Sequence, residues 1–140
     1  MTALPLVRNF TDAQGVEITF YEWPVANPKA AIQLVHGLGE HARRYDHVAA
    51  ALNRAGYSVY ADDHRGHGLT GLGMIEADLT KRLGPLGPGG MRATINDVHQ
   101  LSELILEENP DLPLVLFGHS LGSMIGQRIL NQHCGDYAAA

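Results

Sequence analysis

Residues 112–122, LPLVLFGHSLG, form the stretch that decides the fold. The apolar run over residues 112–117 predicts a buried β-strand, and a helical pattern follows from residue 121 to about residue 132. Between them lies G-x-S-x-G, in which two glycines let a strand turn abruptly into a helix and leave Ser120 at the apex with its hydroxyl exposed. The alternative is a glycine-flanked turn that happens to contain serine. The position directly between a strand and a helix favours a nucleophile elbow with Ser120 as the attacking residue.

A second loop follows a buried strand nearer the amino terminus. Residues 30–35 are nearly all apolar, as in a strand covered on both faces, and His-Gly-Leu-Gly at 36–39 ends that strand. In a doubly wound sheet both loops emerge at the same edge, so residues 36–39 should lie beside Ser120. The N–H groups of Leu38 and Leu121 could then hold an oxyanion together. The alternative is a plain strand-to-helix connection.

The other elements alternate along the chain. Residues 5–25 predict two antiparallel strands joined by a tight connection. Further predictions are helices over residues 45–55 and 91–108, a strand over 57–61, and a long loop over 69–90 with a short helix over 74–82. This order predicts an α/β fold, in which a doubly wound, mostly parallel sheet follows an antiparallel hairpin.

Composition excludes several classes of protein. With 140 residues, 45% hydrophobic and 18% charged, the chain suits a single globular domain. The net charge of −5 without a basic run argues against a nucleic-acid partner. The single Cys134, the lack of a secretory signal in residues 1–5 and the lack of a long apolar run favour a cytoplasmic protein without a membrane span.

Three motifs in order resemble the monoacylglycerol lipase and lysophospholipase branch of the α/β-hydrolases. They are HGLGEH at residues 36–41 with Arg44 and Tyr45 after it, DHRGHG at 63–68, and GHSLG at 118–122. The resemblance implies that Ser120 attacks the acyl carbonyl of an ester, a His acts as base, an Asp orients it, and water releases the acyl enzyme. It places Leu38 and Leu121 at the oxyanion positions and implies no metal or organic cofactor.

The resemblance covers only the first half of that family. Its members carry the acid and then the base after the serine, whereas His133 and Asp136 come here in the opposite order. We therefore expect residues 1–140 to be the N-terminal half of one α/β-hydrolase domain, with the catalytic Asp, the catalytic His and a lid beyond residue 140, or with a second chain completing the fold. The expected partner is a small acyl ester, with lipid or peripheral membrane contact through the missing lid.

Other hypotheses stay open. A non-catalytic binding module could retain the elbow, and a peptidase or thioesterase could use the same one. The spacing of His64 and His67 suits a metal, but both lie in a glycine-rich loop, so loop-organising hydrogen bonds are the better interpretation, and His119 is expected to pack or hydrogen-bond. Residues 84–90 match no nucleotide-binding motif. The strand at 112–117 would be an apolar edge without a neighbour, so residues 1–140 alone should be poorly soluble or self-associate.

Overall fold

Five strands form one mixed sheet in a computed structural model that describes residues 4–140. The strands are β1 (Leu6–Thr11), β2 (Glu17–Trp23), β3 (Ala31–Val35), β4 (Ser58–Asp62) and β5 (Leu114–Gly118). Their order across the sheet is β1-β2-β4-β3-β5. β1 and β2 form an antiparallel hairpin, β2 is antiparallel to β4, and β3 runs parallel to both β4 and β5. The predicted fold class is confirmed.

In the part of the chain that the structure describes, four helices pack on this sheet. They are α1 (Asp46–Arg54), α2 (Gly68–Glu76), α3 (Gly90–Glu108) and α4 (Leu121–His133), and short 3-10 turns lie at Ala42–Tyr45 and Cys134–Asp136. α1 covers one face of the sheet, whereas α3 and α4 cover the other. Within residues 4–140, no helix is both long and apolar enough to cross a bilayer. Residues 1–3, part of the stretch in which a secretory signal was sought, lie outside the described residues.

β3 is the central strand of the parallel part, and all five of its residues are buried. Ile32 and Leu34 face the α1 side, whereas Val35 packs toward α3 and α4. The buried amide of Gln33 donates to the Val98 carbonyl at 2.9 Å and accepts from a serine hydroxyl of α3. Because its polar atoms have partners, Gln33 can lie in a strand covered on both faces.

The helix predicted over residues 74–82 is wrong in position, since α2 spans Gly68–Glu76. Three glycines in nine residues give this segment a low intrinsic helix propensity. Tertiary contacts override that propensity: Thr70 is buried and accepts the Thr19 N–H at 2.9 Å, and Met74 is buried as well. Gly71 lies so close to Gly66 that a methyl group there would be 2.6 Å from the Gly66 carbonyl carbon. Gly71 therefore allows close packing of α2 against the loop after β4.

The outer edge of β5 has a neighbour, contrary to the sequence-based expectation. The N–H of Ala138 donates to the Leu114 carbonyl at 2.8 Å, and the N–H of Leu116 donates to the Ala139 carbonyl at 3.0 Å. A 3-10 turn after α4 brings the chain back alongside β5 in the parallel direction. The premise of an unpaired edge is therefore wrong at these residues, and self-association of residues 1–140 stays a prediction.

Candidate active site

Ser120 lies at the tip of a tight bend between β5 and α4. Its backbone has φ 56° and ψ −122°, a conformation that is rare for a residue with a side chain, and the residue is exposed. A methyl group on Gly122 would lie 1.9 Å from the Val35 carbonyl oxygen, and one on Gly118 would lie 2.5 Å from the Gly122 oxygen. Because strand and helix approach this closely, the chain reverses within two residues and holds Ser120 outward.

The loop after β3 lies directly beside this bend. A methyl group on Gly37 would be 3.2 Å from Ser120 Cβ and 3.3 Å from the His119 carbonyl oxygen. The His119 N–H also donates to the Val35 carbonyl at 3.1 Å, which joins the ends of β5 and β3. Residues 36–39 thus reach the same sheet edge as Ser120, where the parallel topology places them.

Side chains fix the backbone on both sides of Leu38. The Gly37 N–H donates to Glu40 Oε2 at 2.8 Å, and the Gly39 N–H donates to His67 Nε2 at 2.9 Å. Within residues 4–140, neither the Leu38 N–H nor the Leu121 N–H donates a hydrogen bond to another group. Leu121 begins α4, where the first N–H groups have no partner inside the helix. Two free amide donors therefore flank the bend that carries Ser120.

Glu40 anchors the loop through a carboxylate that stays ionised. Its Oε2 accepts the Tyr45 hydroxyl at 2.9 Å and lies 3.6 Å from His119 Nδ1. Partial burial would raise the pKa of this carboxyl, but the Gly37 N–H, the Tyr45 hydroxyl and His119 outweigh it and hold the pKa below its ordinary value. His119 is mostly exposed and lies 3.3 Å from the Tyr45 hydroxyl, so it takes part in hydrogen bonding rather than packing.

His67 is the second anchor, and its neighbours define its tautomer. Because Nε2 accepts the Gly39 N–H, the proton of the neutral ring lies on Nδ1 and is donated to the Arg65 carbonyl at 2.8 Å. Arg65 is fully buried and bonds Asp97 at 2.9 Å and Asp12 on the other side. The loop beside Ser120 therefore rests on a buried ionic network.

The imidazole rings of His36 and His64 stack beneath the same loops, with ring centroids 3.7 Å apart. His64 donates from Nδ1 to Asp62 at 2.7 Å and from Nε2 to the His36 carbonyl at 2.9 Å. Burial would lower the pKa of His64, but the Asp62 carboxylate outweighs it and raises that pKa. His36 accepts the His64 N–H at 3.1 Å, and burial together with the His64 charge lowers the pKa of His36 to about 3. One ring is thus charged and the other neutral, and both organise backbone.

The acidic and basic residues that follow Ser120 in the sequence lie away from it. His133 is at the opposite end of α4, where its ring stacks on His99, and Asp136 lies 2.9 Å from His99 Nε2. At 1.5 Å per residue, the 13 residues of α4 separate them from Ser120 by about 20 Å. The described residues therefore bring together Ser120, Leu38 and Leu121, and they place His133 and Asp136 elsewhere.

An open cleft of about 350 Å³ lies next to the Gly39 side of the loop. Leu72 and Leu83 line it, together with backbone of the glycine-rich segment after β4. Leu38, in the loop after β3, is 70% exposed, and Met124, in the first turn of α4, is 66% exposed. The edge of the sheet that carries Ser120 is therefore rich in exposed apolar side chains.

A mixed sheet in this order, with a sharp bend after a parallel strand and a second loop beside it, defines an α/β-hydrolase. Residues 26–140 match the family described as serine aminopeptidase, S33, and the chain belongs to that family.

Several known proteins are similar to this chain over part of their own length. The chain is 34% identical to a monoacylglycerol lipase of Mycolicibacterium smegmatis over 94% of its own length and 44% of the relative's. It is 34% identical to the monoglyceride lipase of Mus musculus over 84% of this chain and 35% of that one. A thermostable carboxyl esterase from Bacillus coagulans, solved in complex with glycerol, superposes with a TM-score of 0.83 at 34% identity, covering 98% of this chain and 43% of the esterase. The chain thus spans less than half the length of these relatives.

The sequence-based prediction named Ser120 and the two amides, and the loop-organising hydrogen bonds expected of His64 and His67 are confirmed. The roles of Glu40 and Arg65 were missed, because nothing in the spacing of these motif residues showed which group each one binds. Membership of those motifs was the one sign that pointed to them.

Proposed function

We propose that this protein is a serine carboxylic ester hydrolase that forms an acyl enzyme on Ser120. The observation that carries the proposal is the exposed, positive-φ Ser120 beside an anchored loop, with the N–H groups of Leu38 and Leu121 free. Acyl transfer requires a nucleophile, here the Ser120 hydroxyl, next to donors that can stabilise an oxyanion, here the two amide N–H groups.

In the proposed reaction, Ser120 Oγ attacks the acyl carbonyl carbon while a histidine takes its proton. The negative charge that develops on the carbonyl oxygen is held by the N–H of Leu38, in the loop after β3, and by the N–H of Leu121, at the N-terminus of α4. The alcohol leaves with the proton of the histidine, and water then releases the acid by the same steps in reverse. We infer that residues 1–140 are the N-terminal half of one domain and that the histidine and its orienting acid follow residue 140 or come from a second chain.

We infer a single-chain acyl ester, of the monoacylglycerol or lysophospholipid kind, as the substrate class. Two of the relatives are named as lipases of monoglycerides, and the esterase that superposes on this chain was solved with glycerol. The exposed Leu38, Leu72, Leu83 and Met124 around the site suit an apolar chain. The same side chains would contact lipid or be covered by a lid.

A peptidase is the second candidate, because the matching family is described by an aminopeptidase activity. Substrate preference distinguishes the two activities. If the protein is an ester hydrolase, we expect it to hydrolyse monoacyl glycerol esters and not aminoacyl anilides. Preferred cleavage of the anilide would support the peptidase.

Fluorophosphonate labelling tests the proposed nucleophile. We expect the longest natural form of the protein to be labelled once and to lose the label and its esterase activity in Ser120→Ala, while Ser123→Ala, one turn further along α4, keeps both. Loss of a triad member costs about 10⁶ in turnover and leaves about 10³ over water, so residues 1–140 alone should hydrolyse esters about 10⁶-fold more slowly than the complete enzyme. Labelling that survives Ser120→Ala, or a stop codon after residue 140 with no partner chain, would favour a non-catalytic binding module.

A further inference from the structure

Three potential metal ligands meet at the end of α4 remote from Ser120. His99 on α3, His133 at the end of α4 and Asp136 in the following turn place one ligand atom each within 4.8 Å of one another. His99 Nε2 lies 2.9 Å from Asp136 Oδ2, and the rings of His99 and His133 stack with centroids 3.7 Å apart. All three residues are partly buried.

The nitrogen of His99 that faces away from the cluster, Nδ1, lies near a carboxylate, as is common for metal-bound histidines. His99 Nδ1 lies 3.5 Å from Glu103 Oε1, one turn further along α3, while Nε2 faces the cluster. A carboxylate on the far nitrogen fixes the orientation of an imidazole and increases its basicity toward a metal. Glu103 therefore lies within reach of Nδ1 of His99, while Nε2 faces Asp136.

The segment that carries the other two ligands is held in place independently of any ion. The Tyr137 hydroxyl donates to Ser102 Oγ at 2.7 Å, and the Ala138 N–H donates to the Leu114 carbonyl at 2.8 Å. The turn at Cys134–Asp136 is thus tied to α3 and to β5 directly after Asp136. The backbone around His133 and Asp136 is therefore ordered by these contacts without a bound ion.

We propose that His99, His133 and Asp136 bind a divalent transition-metal ion of the Zn²⁺ class, with water as the fourth ligand. Two imidazoles and one carboxylate suit Zn²⁺ in preference to Mg²⁺ or Ca²⁺. With metal–ligand distances of about 2.0–2.1 Å, ligand atoms on a tetrahedral ion lie roughly 3.3 Å apart. Binding requires side-chain rotations that bring the ligand atoms, which lie within 4.8 Å of one another, to that spacing. The ring of His133 must also tilt out of its stack on His99 so that its lone pair points at the ion.

The site would link α4 to α3 rather than act on a substrate. It lies about 20 Å from Ser120 along α4, and it ties the turn that leads into the strand pairing beside β5. Metal binding should therefore raise the melting temperature and leave the reactivity of Ser120 unchanged.

Zinc titration of the longest natural form, made without a histidine tag, tests the proposal. We expect one equivalent of Zn²⁺ by calorimetry, a melting temperature several degrees higher at saturation, and a tetrahedral visible spectrum with Co²⁺. His99→Gln, His133→Gln and Asp136→Asn should each abolish the shift. Glu103→Gln should weaken the affinity about 10–100-fold, an effect that a surface adsorption site would not show.

Two variants serve as matched controls. His47→Gln removes an exposed histidine of α1, and Cys134→Ser removes the exposed thiol next to His133. Both should bind as the unmodified protein does. Circular dichroism in the absence of metal verifies that each ligand variant is folded. Binding that survives in folded His133→Gln, binding lost in Cys134→Ser, equal affinity for Mg²⁺, or no binding at all would each overturn the proposal.

Discussion

The N–H of Gly39 donates a 2.9 Å hydrogen bond to Nε2 of His67, a buried ring whose Nδ1–H is held by the Arg65 carbonyl. This bond joins the loop after β3 to the loop after β4, and it fixes the peptide that follows Leu38. The direction of the proposed oxyanion donor therefore depends on a side chain 28 residues further along the chain.

His67→Ala removes the acceptor of the Gly39 N–H and should lower kcat without a matching change in KM. Misplacing a reacting group by about 1 Å can cost roughly 100-fold, and loss of a whole oxyanion donor costs about 10²–10³; we expect a fall of about 10–100-fold. Steady-state hydrolysis of a soluble ester by the longest natural form measures it. His47→Ala, at an exposed position of α1, is the control. An unchanged kcat in folded His67→Ala would contradict the prediction.

Gly122→Ala and Gly73→Ala form a matched pair of helical glycines with opposite surroundings. The methyl group at residue 122 would lie 1.9 Å from the Val35 carbonyl oxygen, whereas at residue 73 nothing lies within 4 Å. We expect Gly122→Ala to lower the free energy of unfolding by about 3 kcal/mol or more, because backbone cannot move aside cheaply. Gly73→Ala should raise it by about 0.5–1 kcal/mol through helix propensity. Urea denaturation compares them, and equal effects would show that α4 does not pack on β3 this closely.

The sequence predicted those elements whose pattern is local. The buried strands come within two residues of the observed β3, β4 and β5, and the 19-residue α3 begins one residue before the predicted helix. α2 was misplaced because its three glycines hide a helix that Thr70 and Met74 hold by tertiary contact. The elbow was predictable because two glycines and a serine must be adjacent for the bend to form.

Long-range polar contacts left no pattern in the sequence. Arg65 meets Asp97, which lies 32 residues away, and Asp12, which lies 53 residues away. The Oδ1 atom of Asp12 accepts the N–H groups of Gln14 and Val16 at 2.9 Å each, which are local turn contacts, but its other oxygen belongs to the Arg65 network. The pairing of β5 with Ala138 and Ala139 was equally hidden, because a three-alanine tail has no strand pattern of its own.

Arg65→Met tests the ionic network under the Ser120 loops. It removes the cation between Asp12 and Asp97 and leaves both carboxyls buried without it. Removing one partner of a buried ion pair costs about 3–5 kcal/mol, and we expect a loss of that size in the free energy of unfolding at pH 7. Arg54→Met, at the end of α1, is the control because Arg54 is exposed. Similar unfolding curves for the two variants would show that the network contributes little.

Asp97 should make the folded protein less stable as the pH rises from about 4 to about 8. Burial and the nearby Asp12 carboxylate raise the pKa of Asp97 to about 8, although Arg65 opposes the shift. Burial would raise the pKa of Asp12, but Asp97, the Val16 N–H, Arg65 and the Gln14 N–H outweigh it and lower that pKa, so the proton resides on Asp97.

The direction of this pH dependence follows from the number of protons bound by the folded and the unfolded protein. Between the ordinary pKa of 3.8 and about 8, the folded protein holds a proton on Asp97 that the unfolded chain lacks. The free energy of unfolding therefore falls with rising pH, by up to about 1.4 kcal/mol per pH unit from this group. The side chain of the Asp97→Asn variant is neutral at every pH, so this variant should lack the contribution of Asp97 to the pH dependence of the free energy of unfolding. His64, whose pKa is also raised, contributes equally in both proteins. Urea unfolding of the two proteins at pH 5 to 9 measures the difference, and parallel profiles would mean that Asp97 is ionised throughout.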